Sequence, residues 1–497
     1  MSTKPHGNTN SLGTDTVSGT EAPGSHDYEA AQLAIAALHS HGFEAYIVGG
    51  AVRDLYLNRR PKDFDLATDA TPEQIIALPE FTRSKYKDTA QAYGVTRTLV
   101  VYDGRASEIE IATFRKDIEA HRGRQSTKIA FASLEDDVLR RDFTINALAF
   151  DPSTSTIIDF VDGVDDLDNR LLRFIGKPSE RIREDPLRIM RAIRFKNHLG
   201  FSYDAKTVEA IKNTVRQGYI ERIAVNRLRD ELTALLVHPS RRQAIADLDN
   251  FGILELVLPE VTAGKTVAQP PEFHAEGDVW QHELLILDYL PVHPTVRLAW
   301  AALLHDIGKG PTYTTPHTQD DRIRFNRHYA VGAEMAKTIL RRLRFSNREV
   351  KDIAWMIYNH LAIDSLPVMR PSHQQHMMGH EAFEDLLELH RADAAASWRP
   401  GTSHASKPQF RAIEQLWHTY QTAPPEERQP SLKRDLGIDG TWLLHTFSTE
   451  SQKIPGPVIG KVLTDLDSWY RNKKIRDTDA YVHKAELLLK KYQDKNP

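Results

Sequence analysis

"YIVGGAVRDLYLNRRPKDFDLATDATPEQI", residues 46 to 75, sets an apolar run before a double glycine, an arginine, and then two aspartates one residue apart. The run ending at Val48 reads as a short buried strand that stops where Gly49 and Gly50 permit a tight turn. Polar and apolar residues alternate from Lys62 to Leu66, the period of a strand, so Asp63 and Asp65 share one face and Phe64 and Leu66 the other. Side-by-side carboxylates repel and raise each other's pKa unless a cation lies between them. A pair of Mg²⁺ ions is such a cation, and such ions clamp the attacking and leaving oxygens of a phosphoryl transfer. In "EIEIATFR" Glu108 and Glu110 fall on one face of another strand, which makes Glu110 a candidate third catalytic carboxylate. The Gly49–Gly50 turn would offer backbone N–H groups to a triphosphate, and Arg53 would add charge. The plainer alternative for Asp63 and Asp65 is a solvated strand edge.

The chain around this stretch is long and evenly charged. Its 497 residues are expected to divide into several domains. With 64 basic and 68 acidic residues the net charge is -4, which excludes a uniformly basic nucleic-acid coat and leaves RNA to a local patch. Cysteine is absent, so disulfides and thiolate metal sites are excluded and any metal must sit on His, Asp or Glu. That usage fits a cytoplasmic protein, and no apolar run is long enough to predict a membrane span. Residues 1–27, rich in Ser, Thr, Gly and Asn, read as a disordered leader.

Residues 28–155 carry both helix and strand signals, the latter at "TRTLVVYDG" and "EIEIATFR"; beyond about 165 helical periodicity dominates, as in "PLRIMRAIRFKNHLG" and "AVNRLRDELTALLV". "VTAGKTVAQPPEFHAEGD", "WRPGTSHASKP" and "TAPPEERQPS" read as linkers and suggest cuts near 262, 400 and 425. The expected fold class is α+β. A mixed-sheet head (28–155) is followed by an all-α neck (156–261), a metal-binding body (262–400) and a helical tail (401–497).

"RRDFTINALAFD" and "REDPLRIMRAIRF" add further chemistry. Arg141, Asp142 and Asn146 carry donors and acceptors enough to hold a ribose and a phosphate; the alternative is Asp142 as N-cap of a helix "FTINALAF". Asp185 suits the N-cap and Pro186 the first position of a helix whose Leu187, Met190 and Ile193 form a buried stripe. Asp185 and Arg188 then lie one turn apart as a fixed acceptor and a fixed donor. Cytosine and adenine share an amino donor beside a ring-nitrogen acceptor, whereas uracil and guanine present the reverse, so such a pair would accept C and A.

Taken in order, Gly49–Gly50, Arg53–Asp54, Asp63-x-Asp65, "RRDFTINALAFD" and "REDPLRIMRAIRF" resemble the bacterial-type tRNA nucleotidyltransferases, the CCA-adding enzymes and their poly(A) polymerase relatives, over about residues 45 to 235. The resemblance implies a polymerase-β-like head in which Asp63 and Asp65, with Glu110, use Mg²⁺ to activate an RNA 3′-hydroxyl against the α-phosphate of CTP or ATP. It implies base recognition by Asp185 and Arg188, and nucleotide binding by Gly50, Arg53, Arg141, Asp142, Asn146 and Arg191. Its partners would be tRNA, CTP and ATP. "ERIAVNRLRDEL" resembles the last motif of the same family, and there Glu221, Arg222 and Arg227 read as mainly structural. "AQAYGVTRTLVV" matches the family only at Tyr93 and Gly94. It lacks the basic run of the poly(A) polymerase branch, which favours full or partial CCA addition.

Downstream, "ALLHDIGKG" joins His305 to Asp306 at the end of an apolar helical run, with His282, His328, His360 and Asp393 in further helical contexts. This ordered set resembles an HD-type metal phosphohydrolase. The resemblance implies that the six residues hold Mn²⁺, Co²⁺, Ni²⁺ or Mg²⁺; the alternative is a retained scaffold of core histidines. Lys309 would help to bind a phosphate. In the tail, "IPGPVIGKVLTDLDSWYRNKKIR" offers Arg471, Lys473 and Lys474 as a local RNA-binding patch, or simply a solvated helix end.

Overall fold

The computed structural model describes residues 25–83, 94–117, 129–315, 323–397, 408–424, 428, 432–448, 454–473, 475 and 477–493. Most of the expected leader, most of the second and third linker stretches, Tyr93, Lys474 and Arg476 lie outside the described residues. The chain forms two compact units, one ending at Val257 and the other beginning at Leu258.

In the first unit the helix Ser25–Ser40 buries Ala30, Ala31, Ala34, Ile35 and Leu38, a stripe at helical spacing. The sheet of the head comprises β1 (Ala45–Val48), β2 (Asp65–Thr68), β3 (Thr82–Arg83), β4 (Val95–Tyr102), β5 (Arg105–Thr113), β8 (Ala149–Asp151) and β9 (Thr156–Ile158), in the order β3-β4-β5-β2-β1-β8-β9. β6 (Arg115–Asp117) and β7 (Ile129–Phe131) pair separately. β2 runs parallel to β5, and the other neighbours in the seven-stranded sheet are antiparallel.

Register assembles the site. Val48, the last residue of β1, lies opposite Asp65, the first of β2, and Asp65 in turn lies opposite Glu110 of β5. The chain leaves β1 through Gly49, at φ 75, into the helix Gly50–Tyr56. An L side chain seldom adopts that backbone conformation, so glycine is required there.

The segment "FTINALAF" is not a helix. Thr144–Asn146 is a 3-10 turn, and the apolar run then enters β8 beside β1. Ala147, Leu148, Ala149 and Phe150 are all buried, and a strand covered on both faces shows no alternation by which to tell it from a buried helix. The neck follows its sequence periodicity more closely, in the helices Leu187–Leu199, Ala205–Arg216 and Val225–Val237.

The second unit is helical. Its body packs Val279–Asp288, Val296–Leu304, His328–Arg342, Asn347–Asn359 and Phe383–Ala396. The helices Gly456–Lys473 and Thr478–Gln493 enclose a separate core that includes Val462, Leu466, Tyr481 and Ala485. Burying each large aliphatic side chain in such cores contributes about 1.5–3 kcal/mol. The stretch expected to be a linker near 262 is ordered instead: Pro259–Thr262 and Ala263–Thr266 are short helices, and Gln269 is buried. Among the described residues no helix is long and apolar enough to cross a membrane.

Candidate functional site

In the head, Asp63, Asp65, Glu108 and Glu110 line one cavity of about 410 Å³ together with Lys62 and Arg97. Phe64 and Leu66 turn the other way and are buried, so the alternation anchors the aspartates by their neighbours. Removal from bulk water pushes the Asp65 carboxyl up to about 6, although it is open to the cleft; Asp63 and Glu110 add to the rise and Arg141 opposes it. The cluster therefore favours a positive charge between its members. Glu110 is balanced on its outer side by Arg97 at 3.3 Å.

Two guanidinium groups close on the glycine turn. A side chain at residue 49 would put its first carbon 3.2 Å from Arg141 Nη1, and one at residue 50 would put it 3.4 Å from Arg53 Nη2. Arg53 donates to Asp54 at 2.8 Å and to Asn146 Oδ1 at 2.5 Å. Arg141 donates to Asp137 at 3.1 Å, and Asp142 accepts from Arg191 Nε at 2.7 Å and from the Phe143 amide at 2.9 Å. The nucleotide-binding candidates Gly50, Arg53, Arg141, Asp142, Asn146 and Arg191 thus form one connected group.

Asp185 and Arg188 lie on the expected stretch and are joined through the backbone, the Arg188 amide donating to the Asp185 carbonyl at 3.0 Å, while their side chains turn to other partners. Asp185 is not the N-cap of the helix Leu187–Leu199: Pro186 takes that place, one position earlier than expected, and Asp185 just before it accepts from the Leu187 amide at 3.1 Å. Its carboxylate also meets Arg227 in a two-pronged contact of 2.8 and 3.3 Å. Arg188 reaches Glu184 at 2.6 Å and the Arg181 carbonyl at 2.8 Å. Arg227, read from the sequence as mainly structural, is the partner of Asp185, a pairing that the sequence did not give. The two are 42 positions apart, and only the packing of two neck helices joins them.

In the second unit the six expected ligands converge. His305, His328 and His360 turn Nδ1 to the carbonyls of Ala302, Phe325 and Ile357 at 3.0, 2.9 and 2.6 Å, and His282 turns its Nδ1 to Glu276 at 3.0 Å. Each outward bond turns Nε2 toward the centre, where that of His282 already meets Asp393 at 3.1 Å. There, His282, His305 and Asp393 form one group of mutually close ligand atoms, and Asp306, His328 and His360 form another. Asp306 spans both, with Oδ2 3.2 Å from His305 and Oδ1 3.4 Å from His328.

His305 Nε2, His328 Nε2 and Asp306 Oδ1 are buried and have no hydrogen-bond partner. Orphaned inward-facing donor atoms of this kind fit a divalent metal. Burial alone would raise Asp306, yet His305 and Lys309 outweigh it and hold the carboxyl well below the usual range. Burial likewise opposes charge on His282, but its hydrogen bonds to the carboxylates of Asp393 and Glu276 carry it up to about 9. Lys309 donates to Asp306 at 2.7 Å and to Gln269 at 2.6 Å. Glu276 and Gln269 come from the stretch read as a linker; the only sequence signal was His274-x-Glu276 shortly before His282. In the tail, Arg471 pairs with Asp467 at 2.7 Å, Lys473 is exposed, and Lys474 lies outside the described residues.

Family models match three parts of the chain: the poly A polymerase head domain over residues 45–173, a probable RNA- and SrmB-binding site of polymerase A over 200–265, and the HD domain over 287–391. A CCA-adding enzyme of Bacillus pumilus is 42% identical over 200 residues, which are 40% of this chain and 47% of that protein. The chain thus spans about half the length of that relative. An A-adding tRNA nucleotidyltransferase of Deinococcus radiodurans is 31% identical over 433 residues, 85% of this chain and 90% of the relative. Among solved structures, a Bacillus stearothermophilus CCA-adding enzyme in complex with CTP is similar at a TM-score of 0.63 and 25% identity, covering 95% of this chain and 99% of the other. With the expected motifs in order, a matching head fold and a relative aligned nearly end to end, the chain belongs to the bacterial-type tRNA nucleotidyltransferase and poly(A) polymerase family, and it carries an HD domain.

Proposed function

We propose that the protein is a tRNA nucleotidyltransferase that adds C and A to the 3′ end of cytoplasmic tRNA from CTP and ATP. The observation that carries this reading is the register of Asp65 against Glu110, with Asp63 in the same cavity and the Arg53–Arg141 group at the glycine turn. Asp63, Asp65 and Glu110 would hold Mg²⁺, which when bound supplies neutralisation of the charge that develops in phosphoryl transfer. The chain's own groups bind and orient. Gly50, Arg53 and Arg141 would receive the polyphosphate, and Asp142, Asn146 and Arg191 the sugar. Asp185 and Arg188 would read the base edge, with Arg227 steadying Asp185. The segments 28–155, 156–261, 262–400 and 401–497 then serve as head, neck, body and tail, with Arg471, Lys473 and Lys474 against RNA.

A-only addition is the second reading. It is favoured by the Deinococcus relative, which bears that name and aligns with 85% of the chain. The deciding experiment is incubation of tRNA lacking its 3′ end, and of tRNA ending in CC, with each nucleotide in turn. Growth by C, C and A supports the first reading; a single A added only to the CC-ended tRNA supports the second.

For the body we propose metal-dependent phosphoester hydrolysis. His282, His305, Asp306, His328, His360 and Asp393 would hold Mn²⁺, Co²⁺, Ni²⁺ or Mg²⁺, which when bound supplies Lewis-acid activation of water and phosphate. Lys309 would orient the phosphate. The test is phosphate release from generic and cyclic phosphoesters with each metal supplied separately. No turnover in a preparation that still extends tRNA would leave these histidines a scaffold. Should Asp306→Ala abolish hydrolysis while Asp63→Ala removes no activity, the protein would instead be a hydrolase with a non-catalytic RNA-binding head.

A further inference from the structure

One arginine of the head and two of the neck gather around a residue that carries no charge. Phe195, near the end of the helix Leu187–Leu199, has three guanidinium groups over its ring: Arg194 at 4.5 Å from the centroid, Arg191 at 5.2 Å and Arg53 at 5.5 Å. Each is held on its other side by an oxygen acceptor. Arg53 reaches Asn146 at 2.5 Å, Arg191 reaches Asp142 at 2.7 Å and Arg194 reaches Glu231 at 2.7 Å. The ring itself is fixed from below. Phe143, fully buried, meets it edge-on at 5.7 Å and packs on Phe174 at 4.7 Å.

Three like charges drawn to one place repel one another. The negative face of an aromatic ring offsets part of that cost, which an aliphatic side chain of the same volume does not. The gathering has a direction as well. Arg53 borders Gly50, and Arg191 holds Asp142, the residue after Arg141, whose guanidinium borders Gly49. Arg191 keeps 34% of its side chain exposed, against 10% for Arg53, so it is the more open of the two to an incoming anion.

We propose that Phe195 is a positioning residue for the polyphosphate of the incoming nucleoside triphosphate. It holds Arg53 and Arg191 in the orientation that receives the anion, and it does not itself touch the reacting atoms. The proposal rests on the nucleotidyl-transfer reading above and deepens it. Because polyphosphate is common to both substrates, the effect falls equally on CTP and ATP and leaves base choice untouched.

The test compares Phe195→Leu, which stays apolar and removes the ring face, with Phe195→Tyr, which keeps the ring. Binding of CTP and ATP is measured directly with Mg²⁺ and no tRNA, alongside KM, kcat and the thermal melt. Loss of two such contacts predicts binding and KM weakened about 5- to 30-fold in Phe195→Leu for both nucleotides. The kcat should stay within about twofold, and Phe195→Tyr should restore wild-type values. Should Phe195→Leu fail to melt cooperatively, Phe195→Met replaces it, since methionine adapts to irregular gaps. Unchanged binding in the aliphatic variant, or equal weakening in Phe195→Tyr, overturns the proposal. Wild-type protein that binds neither nucleotide overturns the nucleotidyl-transfer reading itself, an outcome distinct from the first.

Discussion

Gly308→Ala should damage metal binding in the body more than it damages the fold. Gly308 lies two residues after Asp306, where the chain passes the start of the helix His328–Arg342. An added Cβ would stand 2.6 Å from the Gly332 amide nitrogen and closer still to the His328 carbonyl oxygen. Ordinary contact begins near 3.4 Å, and both obstacles are backbone, so the two segments must part by roughly 1 Å. Overpacking of this kind costs about 1–3 kcal/mol, or about 2–10 °C of melting temperature for a unit of this size. The same movement carries Asp306 away from His328, whose Nε2 now lies 3.4 Å from Asp306 Oδ1. Misplaced ligands commonly lose about 10- to 100-fold in metal affinity. Mn²⁺ titration followed by metal content and by thermal melting reads both effects, and CTP binding by the head is the internal control. Wild-type Mn²⁺ affinity in a Gly308→Ala protein that melts within about 1 °C of the parent would refute the close-approach argument.

Other consequences can be checked one by one. Asp63→Ala or Asp65→Ala should reduce nucleotide addition by at least about 1000-fold with an unchanged melt, since the carboxylates act together; activity within about tenfold of wild type would defeat the assignment. Asp185→Ala and Arg188→Ala should each relax the choice of C and A when all four triphosphates compete, and Arg227→Ala should produce a milder version of the Asp185→Ala effect by freeing that carboxylate; identical product ratios in all three would remove base reading from this helix. Glu276→Gln should weaken metal binding by about tenfold, because an amide cannot fix the His282 tautomer as a carboxylate does; metal titration decides. His198 gives a pH test: burial, aided by His238 stacked on it at 3.8 Å and by Arg194, holds its pKa down at about 3 against an ordinary 6.5. The unfolded chain binds that proton first, so stability present above pH 6.5 should be lost as pH falls toward 3, and the melting temperature of His198→Gln should fall less over that window.

The sequence made the glycine turn and the aspartate strand legible because their signals are local. A glycine pair after an apolar run and alternation through Asp63–Leu66 each declare a backbone state within a few residues. The partnership of Asp65 with Glu110 was readable only as two strand faces, since parallel register across 45 positions depends on the sheet order. The same cause hid Arg227 from Asp185 and sent Arg188 to Glu184 instead. The alternative of a helix over "FTINALAF" failed for a different reason: β8 is buried on both sides, and such a strand carries no period. The stretch before Asp278 failed on composition, since prolines 270 and 271 and Gly277 resemble a linker while Gln269 and Glu276 reach into the body's centre.

The two candidate metal centres differ in a way that bears on how one chain would keep two chemistries apart. The head presents carboxylates alone, open to a cavity and faced by several arginines, the donor set of a hard ion that shares its charge with a polyphosphate. The body presents four imidazoles with two carboxylates, every imidazole buried and oriented by an outward hydrogen bond, the donor set that holds a transition metal whether or not substrate is present. Arginine suits a place where a flexible polyanion is gripped by forked donors, the role proposed for Arg53, Arg141 and Arg191. Lysine is the counter-charge where one buried carboxylate needs a single compact neighbour, as Lys309 stands to Asp306. On the proposed reading, ligand hardness would sort the ions, and the form of the cation beside each site would sort the anions.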